Sequence, residues 1–80
     1  MKYCARIKLF VSGETVEDIY SDYENAKKAL IAFAYDNDEF IEIDAEYKRI
    51  GIIYIIADQK FFSLLEKEPF IVELSNASPR

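Results

Sequence analysis

The chain has 80 residues with ten basic and fifteen acidic side chains, giving a formal net charge of −5, and this length allows a single domain. Six Tyr, six Phe and an apolar fraction of 51 % exclude intrinsic disorder, because disordered chains lack the aromatic and β-branched side chains that build a core. The absence of His and the presence of one cysteine, Cys4, exclude Ser–His and Cys–His catalytic pairs, His-containing or Cys-rich zinc sites and an internal disulfide.

The first predicted element is a β-strand. Side chains from Tyr3 to Val11 alternate between the two faces, one of which is wholly apolar, the pattern of a strand with one face in the core. Residues 12–14, with Gly13 at their centre, indicate a tight turn in which glycine supplies a positive φ, and residues 15–20 then return as a second strand. This hairpin is the preferred interpretation because a second helix-start signal follows it.

The alternative interpretation makes residues 15–20 helical. Thr15 has the side chain of a helix cap, and the apolar residues after it continue the helical spacing of the next segment. The preferred start is Ser21, because Ser21 and Glu24 have the spacing of a capping box. The main amphipathic helix is therefore predicted at about residues 22–35.

Three strands and a short helix are predicted in the second half of the chain. Residues 40–45 alternate as a short strand, and the apolar run Ile50–Ala57 is a strand by its length and β-branching. A short helix follows at about residues 59–66. Residues 70–74 form a last strand, at a sheet edge because a proline precedes it. The composition of residues 75–80 predicts a flexible C-terminal tail.

These elements predict an α+β fold in which residues 1–74 form one domain. Its sheet is largely antiparallel, with about four or five strands, one main helix and a short second helix. The preferred order is strand, strand, helix, strand, strand, short helix, strand. If residues 15–20 are helical, the order becomes strand, helix, strand, strand, short helix, strand, which is close to ferredoxin-like topology.

The apolar run in residues 50–57 carries the strongest inference about function. One main helix covers one face of a small sheet, and the run is apolar on both faces. Leaving three large side chains in water would forfeit about 5–9 kcal/mol at ~1.5–3 kcal/mol each, an amount comparable to the stability of such a chain. Either the short helix or a partner must cover the second face. The sequence therefore predicts a non-enzymatic protein-interaction domain that forms a homodimer, with partner-binding candidates Ile52, Ile53, Tyr54, Ile55 and Ile56.

Acidic residues are concentrated in two segments, 14–24 and 36–46, and neither contains a base. The plain interpretation is a hydrated face that keeps a small apolar domain in solution. The alternative function is that of an acidic inhibitor, of the kind a phage or mobile element encodes, whose carboxylates mimic nucleic-acid phosphates and block a basic nucleic-acid-binding protein. The candidate contacts with a partner are Asp36, Asp38, Glu42, Asp44 and Glu46.

A divalent-cation site is the third interpretation of these acids, and their spacing argues against it. Residues 36–38 resemble the start of an EF-hand loop, but Ile41 occupies the glycine position. Glu42, Asp44 and Glu46 are predicted to share one strand face, with successive carboxylates about 6.5–7 Å apart, too far for one ion. The sequence predicts no metal and no other cofactor.

A weak RNA-binding module is the least favoured hypothesis. Arg6 and Lys8 lie on one face of the first strand with Phe10, and a basic face with an aromatic residue can stack a base. The net charge of −5 repels phosphate, so direct nucleic-acid binding is not expected. No unbroken apolar stretch, Ile52–Ala57 included, approaches the ~20 residues of a membrane span, which together with the lone cysteine predicts a cytoplasmic location.

Overall fold

The structure, a computed structural model, describes all 80 residues and has the predicted α+β class. Its elements are β1 (Tyr3–Leu9), α1 (Val16–Asp36), β2 (Glu42–Tyr47), β3 (Ile52–Ala57), α2 (Gln59–Leu65), β4 (Ile71–Leu74) and β5 (Ser78–Pro79), with a 3-10 helix at Lys48–Ile50 between β2 and β3. Neither α-helix has the length and apolar content needed to cross a membrane.

The sheet is antiparallel, with the spatial order β2-β3-β1-β4 and with β5 pairing β1 beside β4. The central strands β1 and β3 pair so that Ala5 lies opposite Ile55 and Ile7 lies opposite Ile53. A strand–helix–strand–strand–helix–strand chain with this sheet order has the split βαβ arrangement of ferredoxin-like domains. The element order is therefore that of the alternative interpretation.

The preferred hairpin is wrong, because α1 begins at Val16 rather than at about residue 22. Thr15 is its N-cap, and the Thr15 hydroxyl accepts a hydrogen bond from the backbone N–H of Asp18 at 3.1 Å. The acidic first turn also favours a helix that begins at Val16, because the positive end of the helix dipole favours carboxylates. Ser21, the expected cap, is an exposed residue inside the helix.

One carboxylate holds the connection between β1 and α1. Oδ2 of Asp22 accepts hydrogen bonds from the backbone N–H groups of Ser12 at 3.0 Å and Gly13 at 2.8 Å. A Cβ atom at Gly13 would lie 2.5 Å from Cβ of Asp18. Gly13 is thus required for close approach of the loop to the helix, and not for the positive φ that the hairpin predicted.

The core lies between one face of the sheet and a single layer formed by both helices. Its buried members are Ala5, Ile7 and Leu9 of β1, Ile53, Ile55 and Ala57 of β3, Tyr23, Ala26, Leu30 and Ala34 of α1, and Phe61, Phe62 and Leu65 of α2. Phe33 of α1 meets Phe61 of α2 with ring centroids 5.8 Å apart. The short helix therefore extends the layer that α1 begins and does not cover the second face of the sheet.

Residues 75–80, whose composition predicts a flexible tail, lie along the edge of β1. Ser75 Oγ accepts from the backbone N–H of Arg6 at 2.9 Å, and the N–H of Ser75 donates to the Arg6 carbonyl at 3.0 Å. The N–H of Arg80 donates to the Lys2 carbonyl at 3.1 Å. Hydrogen bonds to the main chain of β1 hold this segment against the sheet. The composition of residues 75–80 does not reveal these bonds, so the predicted flexible tail is instead part of the fold.

Candidate functional site

The face of the sheet opposite the helices, called here the open face, carries Ile52, Tyr54 and Ile56 of β3. Within the single chain Ile52 is 6 % exposed and Ile56 is 4 % exposed. Their neighbours across the strands include Lys8, opposite Ile52, and Cys4, opposite Ile56. The aliphatic stems of lysine and arginine cover apolar surface while their charges stay in water. These isoleucines are thus covered without a second helical layer.

The two basic side chains of β1, Arg6 and Lys8, both make polar contacts within the chain. Nη1 of Arg6 donates to Oε1 of Glu73 at 3.1 Å, and Nζ of Lys8 donates to the Ile50 carbonyl at 3.2 Å. Such exposed pairs contribute at most about 1 kcal/mol each. Both cations of the RNA-binding hypothesis therefore already have polar partners within the chain.

The three residues of the RNA-binding hypothesis do not come together. Arg6 and Lys8 lie on the open face, whereas Phe10 follows the end of β1 and lines a groove of about 420 Å³ together with Ala26 of α1 and Phe70. That groove lies on the helix side of the sheet. An aromatic residue on one side and two cations on the other do not form one surface for a base and its phosphate.

A β-bulge in β2 separates carboxylates that are predicted to share one face. The register places Glu42 opposite Ile56 and Glu46 opposite Ile53, and those two isoleucines point to opposite faces of β3. The register shifts around Asp44, so one extra residue reverses the alternation of the strand. The prediction that Glu42, Asp44 and Glu46 share a face is therefore wrong.

Glu46 points to α1 and joins that helix to β2. Its Oε2 accepts from Nζ of Lys27 at 3.1 Å and from the hydroxyl of Tyr23 at 3.2 Å. Burial raises the pKa of the Tyr23 phenol, and the negative charge of Glu46 raises it further. Beside this cluster Lys48 bonds Glu24 at 2.8 Å, which lowers the pKa of Glu24 and raises that of Lys48. Glu46 thus has a structural role.

The turn from α1 to β2 presents two aromatic side chains to water. Tyr35 is 82 % exposed and Phe40 is 86 % exposed, which makes them the most exposed large hydrophobic residues after Met1. Both line one shallow depression together with Asp38 and Glu39. We call this surface the acidic end; it consists of Tyr35, Asp36, Asp38, Glu39, Phe40 and Glu42.

The acids of the acidic end form no ion pair within the chain, and one base, Lys2, lines a cavity together with Phe40 and Glu42. None of the four takes part in an ion pair, and the last turn of α1 contains no base. Asp36 and Asp38 also lie at the negative end of the helix dipole, where carboxylates are unfavourable by about 0.3–1 kcal/mol each. Asp38 has a left-handed backbone with φ 54°, a conformation that aspartate adopts more readily than most residues. The fold thus has a backbone reason for Asp38 but gains no ion pair from any of the four acids.

The predicted partner-binding residues lie in three different environments. Ile53 and Ile55 are fully buried beneath the helices, Ile52 and Ile56 are buried on the open face, and Tyr54 is half-buried there. Asp44 is paired with Arg80 at 3.3 Å, and Glu46 with Lys27. Of the five predicted acids, Asp36, Asp38 and Glu42 are exposed and have no ion pair.

Tyr35 and Phe40 were not among the predicted site residues. A signal for them exists in the sequence, because Tyr35 falls outside the apolar stripe of the helix and Phe40 follows four polar residues. Comparison of the chain with protein-family models, curated proteins and solved structures finds no match. A functional proposal therefore has to rest on the surface of the molecule.

Proposed function

We propose that this domain is a non-enzymatic interaction module that binds a basic partner protein through the acidic end. The observation that carries the proposal is the nearly complete exposure of Tyr35 and Phe40 among four acids without an ion-pair partner. Burying either aromatic side chain at an interface would contribute about 1.5–3 kcal/mol. Aromatic residues at the centre of a contact are also the side chains that most often dominate binding energy.

The charge of the acidic end supports a basic partner. Segment 36–46 contains six acids and no base, so its field attracts cationic surfaces and raises the rate of encounter. A second copy of the chain would bring like charges together at the same place. The acidic end therefore favours a different protein over self-association.

The other two hypotheses have less support from the geometry. The homodimer through the sheet requires an uncovered apolar face, and Ile52 and Ile56 are already buried in one chain. The nucleic-acid mimic requires a row of carboxylates, and the bulge at Asp44 places Glu42 and Glu46 on opposite faces. Both remain hypotheses that rest on the sequence pattern.

Affinity capture tests the aromatic part of the proposal. The bait is the full chain, compared with the double variant Tyr35→Ser, Phe40→Ser, and the captured proteins of the source cells are quantified by mass spectrometry. The matched control is Tyr20→Ser, Phe10→Ser, which removes one exposed helical tyrosine and one exposed phenylalanine outside the acidic end. We expect basic proteins to be lost by the first variant and retained by the control. Equal capture by all three baits contradicts the proposal.

Salt and charge variants test the electrostatic part. Asp36→Asn combined with Asp38→Asn should weaken capture of the same proteins, whereas Glu14→Gln combined with Glu17→Gln, at the other end of α1, should leave it unchanged. Raising the ionic strength should weaken binding by the original chain, because exposed charges are screened beyond about 10 Å at 0.1 M salt. Binding that is indifferent both to salt and to the aspartate variant would rule out an electrostatic contact.

A further inference from the structure

We propose that the partner binds as an extended basic segment that adds a strand to the outer edge of β2. This inference rests on the proposed function, because it specifies how the basic partner meets the acidic end. It extends the site from the exposed aromatic residues to the strand that begins next to them.

The outer edge of β2 is free to form backbone hydrogen bonds. β2 is the terminal strand of the sheet and pairs only with β3. No other backbone group bonds to it, and no side chain donates to its carbonyl groups. Unpaired N–H and C=O groups on an edge strand are the feature that extended peptides use when they join a sheet.

Apolar side chains border this edge on the helix side. Lys27 of α1 contacts Glu46 near the end of β2, and the chain reverses direction between the two elements. The following positions on that face of α1, Ile31 and Tyr35, therefore lie toward the start of β2, where Ile43 also points to the helix side. All three are more than a third exposed. Every second side chain of an added strand would cover these three residues.

The opposite side of the edge carries one carboxylate without an ion pair, in a cavity that Lys2 also lines. Glu42 points to the open face, beside Ile56, and has no ion-pair partner within the chain. An added strand would present alternate side chains to Glu42 and to the apolar border formed by Ile31 and Ile43. The expected segment thus alternates lysine or arginine with apolar residues.

The charge of β2 determines which strand is accepted. Pairing β2 with the same strand of a second copy would bring two edges with an unpaired Glu42 together, and like charges facing across a strand pair are destabilising; Asp44 and Glu46 add less to this repulsion, because they are already paired with Arg80 and Lys27. Acids and a bulge on an edge strand are also the devices by which proteins prevent edge-to-edge association. A basic segment would be attracted to the same edge, so the charge that disfavours a second copy of β2 favours this partner.

The first test uses a displayed library of random peptides selected on the full chain. We expect enriched sequences to alternate basic and apolar residues and to lose binding to Phe40→Ser but not to Phe10→Ser. Failure to enrich any basic sequence overturns this inference, and binding of basic sequences that ignores Phe40→Ser overturns both this inference and the proposed function.

The second test separates the strand mode from other modes of binding. An enriched peptide is resynthesised with backbone N-methyl groups on its odd residues or on its even residues, since an added strand bonds its partner through every second N–H. We expect one series to lose about tenfold or more in affinity and the other to change little. Amides in residues 42–47 should also exchange hydrogen more slowly in the complex. Equal tolerance of both series with unchanged exchange in β2 overturns the strand mode and leaves the proposed function standing.

Discussion

At the scale of single residues, Tyr23 is the side chain on which the helix–strand contact depends. It is fully buried, its hydroxyl donates to Glu46, and Nζ of Lys48 lies 5.9 Å from its ring centroid. One side chain thus joins α1 to β2 and to the turn after β2. Because a buried phenolate beside a carboxylate is unfavourable, Tyr23 stays protonated in the folded chain well above its ordinary pKa of 10.0.

This predicts a loss of stability in alkali. Above pH 10 the unfolded chain releases the Tyr23 proton while the folded chain retains it, so the free energy of unfolding falls as pH rises. Lys48 acts in the same direction, because its raised pKa makes its contribution disappear as pH rises past its ordinary value of 10.5. Urea unfolding of the original chain and of Tyr23→Phe at several pH values measures the effect. We expect a less steep decline in the variant, and parallel declines would contradict this role of Tyr23.

The opposite sign applies to Glu24 in acid. Its pKa lies below the ordinary 4.5, chiefly through the hydrogen bond from Lys48, so its contribution is present at neutral pH and is lost as pH falls through the folded-state pKa. The pair is exposed, and Glu24→Gln should therefore change stability only slightly at pH 7. The same urea experiment below pH 4.5 should show a smaller decline for Glu24→Gln than for the original chain.

At the scale of elements, α1 has two start signals that satisfy the same local rule. Thr15 and Ser21 both carry a hydroxyl that can cap a helix. Asp22 favours the start at Val16, because its carboxylate accepts from the backbone N–H groups of Ser12 and Gly13 and holds them as a loop against the helix, whereas the hairpin would use these two residues in a turn between strands. Tyr23 then reaches the core from the second turn of the helix. Contacts distant in sequence thus decide where the helix begins.

Two alanine variants test this boundary. Thr15→Ala removes a cap and should lower the free energy of unfolding by about 0.5–2 kcal/mol. Ser21→Ala replaces an exposed residue inside the helix by a better helix former and should leave stability unchanged or raise it slightly. Denaturant unfolding and far-ultraviolet circular dichroism measure both. A larger loss for Ser21→Ala than for Thr15→Ala would mean that the helix starts at Ser21 in solution.

At the scale of the whole molecule, the chain covers its own open face. Lys8 and Cys4 of β1 flank the two isoleucines, Tyr47 meets Tyr54 with ring centroids 5.9 Å apart, and the C-terminal segment lies along the adjacent strand. Because the chain itself covers these isoleucines, burial of apolar surface no longer favours a second subunit on this face. The acidic end would also repel the acidic end of a second copy.

We accordingly expect a monomer in solution. Light scattering over a dilution series should give the mass of one chain throughout, about 9.3 kDa. Tyr47→Glu on the open face, where the side chain is 52 % exposed, should not change that mass. Ile53→Glu and Ile56→Glu are unsuitable as probes, because each places a charge at a buried position and should unfold the chain. A dimer that Tyr47→Glu dissociates would restore the sheet-face hypothesis and contradict this expectation.

The candidate site was predictable only in part. The acidity of residues 36–46 is a property of the sequence, and Asp36, Asp38 and Glu42 are exposed without an ion pair as that acidity suggests. Asp44 and Glu46 belong to the same run, yet they bond Arg80 and Lys27, which lie far from them in the chain. Whether a carboxylate is free or paired depends on which strand and helix pack next to it. The composition of the local sequence does not predict those neighbours.

The sequence by itself determined the α+β class, the strand character of β1 and β3 and the two helices, because alternation, β-branching and helical spacing act within a few residues of the chain. The tertiary structure alone decided the start of α1, the bulge at Asp44 and the cover over Ile52 and Ile56. Each of these depends on which distant segments pack together, since burial and pairing are set by neighbours in space, whereas a sequence pattern reports only neighbours along the chain.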